Sequence, residues 1–437
     1  LNGLIIAAPS SGSGKTMVTL GLLRLLARKG LAVASAKVGP DYIDPGFHAA
    51  ACGGPCRNLD GWAMRPASLS AALSALGAAS EIVLCEGVMG LFDGANVTEG
   101  PSGSTAEIAA LSGWPVVLVV DVRGQSASAA AVIRGFADLM PEVTVAGVIF
   151  NRCGSANHVE MLTRACARHC PGIPVLGCLP RLNGLETPSR HLGLVQAREH
   201  AELAAFLDQA ADLMAEHLDI PALLSLARPT KPSGGRTEAP MPPLGQRIAI
   251  ARDDAFSFTY AGLLDSWRTE GAELAFFSPL ADEAPPEDCD GLYLPGGYPE
   301  LHAGRLAAAD RFMGGLRAAA ARGAAIFGEC GGFMTLGESL TDAQGQRHAM
   351  AGLLPLETSF AERRLHLGYR RAVLLADSFL GPAGRVYRGH EFHYATITRQ
   401  DGPTLFRASD AAGRDMGPMG LASGKAAGSF LHVIDHE

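Results

Sequence analysis

An α/β protein of two doubly wound domains is what this sequence predicts, on three observations. Short runs rich in Val, Ile and Leu alternate with stretches of helical periodicity, the pattern of strands buried in a mostly parallel sheet. One segment, Arg228 to Gly245, is dense in Pro, Gly and polar residues and has no apolar periodicity. Beyond it the same alternation begins again. At 437 residues the chain exceeds one ordinary domain, since domains run to roughly 100–200 residues. The expected division is 1–228, a linker over 229–245, and 246–437.

In the first part the expected strands are Leu4–Ala8, Ala32–Lys37, Ile82–Cys85, Val116–Asp121, Val143–Phe150 and Val175–Leu179. Thr16–Lys29 sets Val18, Leu22, Leu25 and Leu26 on one helical face and stops at Gly30. In the second part Gln246–Ala251, Glu273–Phe277, Gly291–Leu294 and Ala324–Phe327 read as strands, with helices over Tyr260–Glu270 and Asp310–Arg322. The remainder is richer in strand, with candidates at Val386–Tyr387, Phe392–Ile397 and Ala426–Leu431.

Composition narrows the function. Hydrophobic residues make up 48% and charged residues 18%, which suits a folded, water-soluble chain. With 36 basic against 44 acidic residues the net charge is -8, which argues against a general nucleic-acid binder while leaving room for a local phosphate site. No apolar run approaches membrane-spanning length, and the start, Leu1 to Ile6, lacks a basic region and cleavage site. The expected compartment is the cytoplasm, with no membrane partner. Nine scattered cysteines make no disulfide framework. Cys52/Cys56 and Cys166/Cys170 have helical spacing, with His169 beside the second pair, but no matching second pair completes a metal site.

Chemistry is written first after the opening strand, in Pro9-Ser10-Ser11-Gly12-Ser13-Gly14-Lys15-Thr16. Such a loop wraps backbone N–H groups around a polyphosphate at a helix N-terminus; Lys15 adds a mobile charge and the Thr16 hydroxyl suits Mg²⁺. Gly12, Ser13, Gly14, Lys15 and Thr16 are therefore expected ATP-binding residues, although Pro9 stands where the usual pattern has Gly. Lys37 to Pro45 follows the second strand, and Glu86 to Gly94 follows a later one. In a parallel sheet all these strand ends face one crevice. Glu86, at a strand tip, is the leading metal carboxylate, helped by Asp41 or Asp44. Lys37 can neutralise charge on a transferring γ-phosphoryl group. Asp41, Asp44 and Asp93 have turn-capping as an alternative role. Asn151, ending its strand, reads as a group for an adenine edge or as a strand-end turn residue.

In the second part the strand at Ala324–Phe327 runs into Gly328-Glu329-Cys330-Gly331-Gly332. A cysteine flanked by glycines at a strand-to-helix corner is the thiol version of a nucleophile elbow, with the helix start expected to favour thiolate. The turn Pro295-Gly296-Gly297-Tyr298-Pro299-Glu300 offers backbone N–H groups near Gly297, with that of Gly331, as an oxyanion hole. His390, His393 and His432 are the candidate bases.

These residues carry a resemblance. The second half resembles class I, triad-type glutamine amidotransferase domains, and the first half resembles the dethiobiotin-synthetase-like P-loop ligases. In this order the two resemble the cobyrinic acid and hydrogenobyrinic acid a,c-diamide synthase family. Its most specific pieces are Lys37-Val-Gly-Pro-Asp-Tyr-Ile-Asp-Pro45, Glu86-Gly-Val-Met-Gly-Leu-Phe-Asp-Gly94, Gly328-Glu-Cys-Gly-Gly332 and Arg388-Gly-His-Glu-Phe-His393.

The resemblance implies Cys330 as glutaminase nucleophile and His432 as the residue that activates it. Full triads place a Glu two residues after that histidine, where this chain has Ile434. It implies Thr16, Asp41, Asp44 and Glu86 around Mg²⁺, and Tyr42 and Asp93 near a tetrapyrrole carboxylate. The implied reaction activates a and c side-chain carboxylates of a corrinoid with ATP and amidates them with ammonia from L-glutamine. Such a polycarboxylate needs local positive charge, at Lys15, Lys37 and Arg363, Arg364 or Arg370. Related synthetases imply a homodimer. The competing expectations are cobyric acid synthase, a nickel-sirohydrochlorin a,c-diamide synthase, and, outside the class, a regulatory or partition-type P-loop ATPase. The last leaves Cys330 without a purpose.

Overall fold

Residues 2–78, 80–181, 203–231 and 238–437 are described in the computed structural model. By packing, the chain forms two units. One comprises Leu1–Trp62, Leu69–Ala95 and Gly100–Arg236, the other Ala63–Ser68, Asn96–Glu99 and Thr237–Glu437. Of the expected linker, residues 232–237 lie outside the described residues.

The first unit runs β1 (Asn2–Ala7), α1 (Lys15–Arg28), β2 (Val33–Val38), α2 (Asp44–Cys52), β3 (Cys56–Leu59), α3 (Pro66–Gly77), β4 (Ile82–Glu86), α4 (Thr105–Ser112), β5 (Val116–Asp121), α5 (Ser128–Asp138), β6 (Val145–Cys153), α6 (Ala156–His169), β7 (Val175–Pro180), α7 (Leu203–His217), α8 (Ile220–Leu226) and β8 (Arg228–Pro229). The sheet order is β3-β2-β4-β1-β5-β6-β7, all parallel, with β8 antiparallel against the start of β1. Strands β1, β4 and β5 are almost wholly buried, as continuous apolar runs require when helices cover both faces. Helix α1 buries Val18, Leu22, Leu25 and Leu26 as its spacing predicts, and also Leu20 and Leu23. The second face is buried because α7 packs along it, tied by Arg24–Asp208 and Arg28–Asp212 ion pairs. Strand β3 has no apolar run to announce it, and Cys56 begins it instead of sharing a helix with Cys52. Pro229, expected to open the linker, still pairs with Asn2 in the sheet.

The second unit runs β9 (Arg247–Ala251), α9 (Ala261–Thr269), β10 (Glu273–Phe277), β11 (Gly291–Leu294), α10 (Ala303–Ala307), α11 (Asp310–Ala321), β12 (Ala325–Glu329), α12 (Gly331–Leu336), β13 (Ser339–Thr341), β14 (Arg347–Ala349), β15 (Leu356–Ser359), β16 (His366–Leu374), β17 (Val386–His393), β18 (Thr396–Gln400), β19 (Thr404–Asp410), β20 (Asp415–Ser423), β21 (Ala426–Ser429) and β22 (Leu431–His436). Its main sheet, β10-β9-β11-β12-β21-β20-β19-β16-β17-β22, is parallel from β10 to β21 and antiparallel beyond. A small sheet, β14-β13-β15-β18, stands apart. The doubly wound pattern thus continues into a mixed sheet. The expected strand Ala426–Leu431 is two strands, parted at Phe430, where the chain leaves β12's neighbour and joins β17. A core of Phe256, Phe312, Leu316, Ile326 and Phe333 backs the parallel part.

Candidate active sites

In the first unit, β1 hands the chain to a loop that ends at Gly14, whose φ of 97° is left-handed and suits glycine. A Cβ there would also collide with the Asn151 amide nitrogen. That nitrogen donates to Ser13 O at 2.8 Å, and Asn151 Oδ1 accepts the Arg152 N–H at 2.9 Å. Arg152 Nη1 donates to Gly12 O at 2.8 Å and pairs with Asp121 at 2.6 Å. The tip of β6 thus ties back the loop's carbonyls, an arrangement that favours offering N–H groups to an anion. Asn151 is engaged as a brace of this loop, and Arg152 is a brace that the sequence did not announce.

Strand register then assembles the acids. Glu86 lies opposite Ile6 on one side and Lys37 on the other, so the tips of β1, β4 and β2 stand side by side. The Thr16 hydroxyl donates to Glu86 Oε1 at 2.6 Å. Lys37 Nζ donates to the same oxygen at 2.7 Å and to Asp44 Oδ2 at 2.6 Å. His48 Nε2 lies 2.7 Å from Glu86 Oε2. Lys37, Asp44, His48 and Glu86 are all buried.

Burial in this cluster works against every charge, and the partners decide the outcome. For Glu86, burial raises the pKa, but Lys37 and His48 outweigh it and hold the carboxyl well below the usual range. Lys37 is likewise held well above its ordinary value by Asp44 and Glu86 despite burial. Burial, then Asp41 and Glu86, push Asp44 up to about 7 against the pull of Lys37. Burial lowers Lys15, the phosphate-loop lysine. Asp44 Oδ1 is buried with no hydrogen-bond partner among the described residues. That orphan oxygen, on a carboxylate joined through Lys37 to Glu86, fits a hard cation such as Mg²⁺.

The remaining expected residues lie nearby along the chain, and Asp41 and Asp93 also hold turns. Asp41 Oδ1 accepts the N–H groups of Ile43 and Asp44 at 2.8 and 3.2 Å, a cap for the turn into α2. Asp93 is exposed and accepts the Gly90 N–H at 2.8 Å. Tyr42 sits half-buried between Asp41 and Ile43. His48 was not expected. Its signal was available, since it lies one helical turn after Asp44 on α2.

In the second unit, β12 ends in Glu329 and the chain turns at Cys330, with φ 49° and ψ -102°. A positive φ on a non-glycine residue is strained backbone, as an elbow requires. The Cys330 N–H donates to Ser429 O at 2.8 Å, fixing the corner against β21. A Cβ on Gly331 would sit 3.0 Å from Gly297 N, so the two expected oxyanion-hole segments adjoin. His432 is fully buried on β22, opposite His390 of β17, with its ring against Gly296, where any side chain would collide with it.

The expected thiolate does not match the surroundings. Burial pushes the Cys330 thiol well above its ordinary value, Glu300 adds to this, and the opposing Gly331 N–H is outweighed. Helix α12 spans six residues, too short to overcome that desolvation. Burial, then His390 and His393, lower His432 to about 3. Both shifts favour the uncharged forms, a thiol at Cys330 and a neutral imidazole at His432.

Glu329 and Glu391 stood in the quoted motifs without a role, and Arg370, expected to supply charge for a polycarboxylate, is engaged by a buried acid of this unit. Arg370 pairs with Glu391 at 2.7 Å, and Glu391 with His393 at 2.9 Å, all buried. His393 stacks on Phe430 with ring centroids 3.7 Å apart, and the Cys330 thiol faces Phe392 O at 3.8 Å. The Arg388–His393 motif is therefore the floor of the Cys330 corner. The nine cysteines are all free, consistent with reduced thiols. No helix among the described residues is long and apolar enough to cross a membrane.

Comparison with known proteins agrees with both halves. Residues 4–195 match the CobQ/CobB/MinD/ParA nucleotide binding domain, and residues 247–437 match the CobB/CobQ-like glutamine amidotransferase domain. The chain is 54% identical over 438 residues to a hydrogenobyrinate a,c-diamide synthase of Brucella anthropi, covering 100% of this chain and 99% of that protein. Proteins of the same name from Sinorhizobium sp. and Mesorhizobium japonicum are 53% and 51% identical, over 100% and 99% of this chain and 99% and 98% of theirs. The chain belongs to the hydrogenobyrinate a,c-diamide synthase family, glutamine-dependent amidating ligases that join a nucleotide-binding unit to a glutamine amidotransferase unit.

Proposed function

We propose that this chain amidates the a and c side-chain carboxylates of hydrogenobyrinate, using ATP and glutamine, in cobalamin biosynthesis. The similarity to relatives of that name along nearly the full length of both chains carries the substrate assignment. A carboxylate is a poor electrophile, so its oxygen first attacks the γ-phosphorus of ATP, giving an acyl phosphate and ADP. Ammonia then attacks the acyl carbon and phosphate leaves with the C–O electrons. In the first unit Gly12 to Thr16 cradle the polyphosphate, and Lys15 moves with its charge. Thr16, Asp44 and Glu86 hold Mg²⁺, with Asp41 shaping the turn that presents Asp44. Mg²⁺ supplies charge neutralisation on the phosphates when bound. Lys37 keeps Asp44 and Glu86 together in the low-dielectric crevice. Tyr42 and Asp93 lie on loops leaving the same sheet edge and face the carboxylate substrate.

In the second unit Cys330 Sγ attacks the amide carbon of glutamine while His432 takes the thiol proton. The oxyanion is met by N–H groups near Gly297 and Gly331. His432 returns the proton to the departing nitrogen, ammonia leaves, and water hydrolyses the thioester to glutamate. ATP use and reduced thiols support a cytoplasmic setting, and a homodimer completes the reading by resemblance. The convergence of Thr16, Lys37 and His48 on Glu86, with Asp44 joined through Lys37, is the observation that carries the synthetase site. Glu86→Gln should abolish amidation from either glutamine or ammonium; near-normal turnover would remove Glu86 from the site.

A further inference from the structure

The second unit has a nucleophile and a base but lacks the acid that a triad places after the histidine, since Ile434 occupies that position. We propose that Glu329, the residue immediately before Cys330, is the positioning carboxyl that orients His432. The inference rests on the glutaminase reading of Cys330 and His432 given above.

Three contacts define the carboxyl. Glu329 Oε2 lies 3.8 Å from His432 Nδ1. Its Oε1 accepts the Val433 N–H at 3.1 Å, from the residue that follows the histidine. Its Oε2 also accepts the Tyr293 hydroxyl at 2.7 Å, from the neighbouring strand β11. Glu329, His432 and Tyr293 are all at most 1% exposed. A carboxyl held from two sides has little rotamer freedom, and the side left open to Oε2 is the imidazole. The 3.8 Å separation exceeds a hydrogen bond, which needs about 2.7–3.2 Å, so closing it takes a movement of about 0.6–1.1 Å. The other buried acid of this floor, Glu391, has both oxygens engaged by Arg370 and His393.

The position also explains why a residue adjoining the nucleophile can do this. Cys330 turns out of the strand at a strained φ, whereas Glu329 remains in β12 and projects toward β22. An ionised Glu329 accepts Nδ1–H and leaves Nε2 with its lone pair, the form that can take a thiol proton. A protonated Glu329 instead donates to Nδ1 and leaves the hydrogen on Nε2, the tautomer that cannot accept the thiol proton. Burial pushes Glu329 up to about 8, against the opposing bonds from Tyr293 and Val433. Facing this pair are Tyr293 on β11, Cys330 at the head of α12, and His390, Glu391 and His393 on β17.

Glutamine hydrolysis by the full chain, followed against pH, tests the assignment. Wild type should gain rate as pH rises through about 8, and Glu329→Gln should lose that rise. By analogy with Asp-to-Asn changes in a triad, its kcat should drop by a factor of about 10²–10⁴ with KM little changed, while Glu329→Asp recovers part of the rate. Ammonium-dependent amidation by Glu329→Gln should stay at the wild-type rate. Glu329→Gln hydrolysing glutamine within about twofold of wild type, with the same pH profile, overturns the proposal. Should Glu329→Gln lose ammonium-dependent amidation as well, Tyr293→Phe decides: without the hydroxyl the pH rise should move upward, and an unmoved rise overturns the proposal. A wild-type chain that hydrolyses no glutamine would refute the glutaminase reading itself, a result distinct from a silent Glu329.

Discussion

Gly14 shows how much one residue carries. Its left-handed φ and the Asn151 amide packed against it leave no room for a side chain. Gly14→Ala should cost about 1–2 kcal/mol in backbone strain alone and displace Asn151 from Ser13. ATP affinity measured by calorimetry should fall by at least about tenfold, 1.4 kcal/mol in free energy, and unchanged affinity would contradict the brace. Residues of this kind were legible because their neighbours in sequence fix their geometry: a glycine before Lys-Thr at a strand-to-helix corner has few alternatives. Lys37 stood out in the sequence, but its pairing with Asp44 and Glu86 did not, since they meet it only through helix placement and strand register. The thiol state of Cys330 was misread for a similar reason. Burial of the elbow under Glu300, Glu329 and Glu391 depends on contacts among distant segments.

At the scale of elements, β17 and β22 form the wall that holds His432, and their boundaries were the hardest to read. A single strand over Phe392–Ile397 was expected, but β17 ends at His393 and β18 starts at Thr396 in another sheet. The pattern misled because Arg388, His390 and Glu391 look like surface residues, whereas β17 alternates half-buried and buried positions throughout. Its buried ion pairs have a testable cost. Burial raises Glu391, but His393 and Arg370 outweigh it and hold the carboxyl down at about 2. A depressed carboxyl stabilises the fold above its ordinary range and loses that contribution as pH falls through about 2. Glu391→Gln leaves Arg370 and His393 short of a buried partner and should cost about 3–5 kcal/mol near neutral pH. Urea titrations should show the difference between the two proteins shrinking as pH is lowered from about 4 toward 2. A constant difference would contradict the ion-pair account.

For the whole molecule, the two-part plan was legible because the apolar alternation stops and restarts, and because each part carries its own strand-to-turn signature. What the pattern did not show was the antiparallel half of the second sheet, whose strands run through polar, glycine-rich sequence and are defined by pairing alone. The plan implies separable chemistry: one unit activates a carboxylate, and the other releases ammonia. Cys330→Ala, with the full chain supplied with hydrogenobyrinate, ATP and Mg²⁺, tests that separation most directly, using mass spectrometry to count amides formed from glutamine or from ammonium. The variant should form both amides with ammonium and neither with glutamine, whereas wild type forms both with each. A folded Cys330→Ala that amidates with glutamine, or with neither nitrogen source, would contradict the assignment.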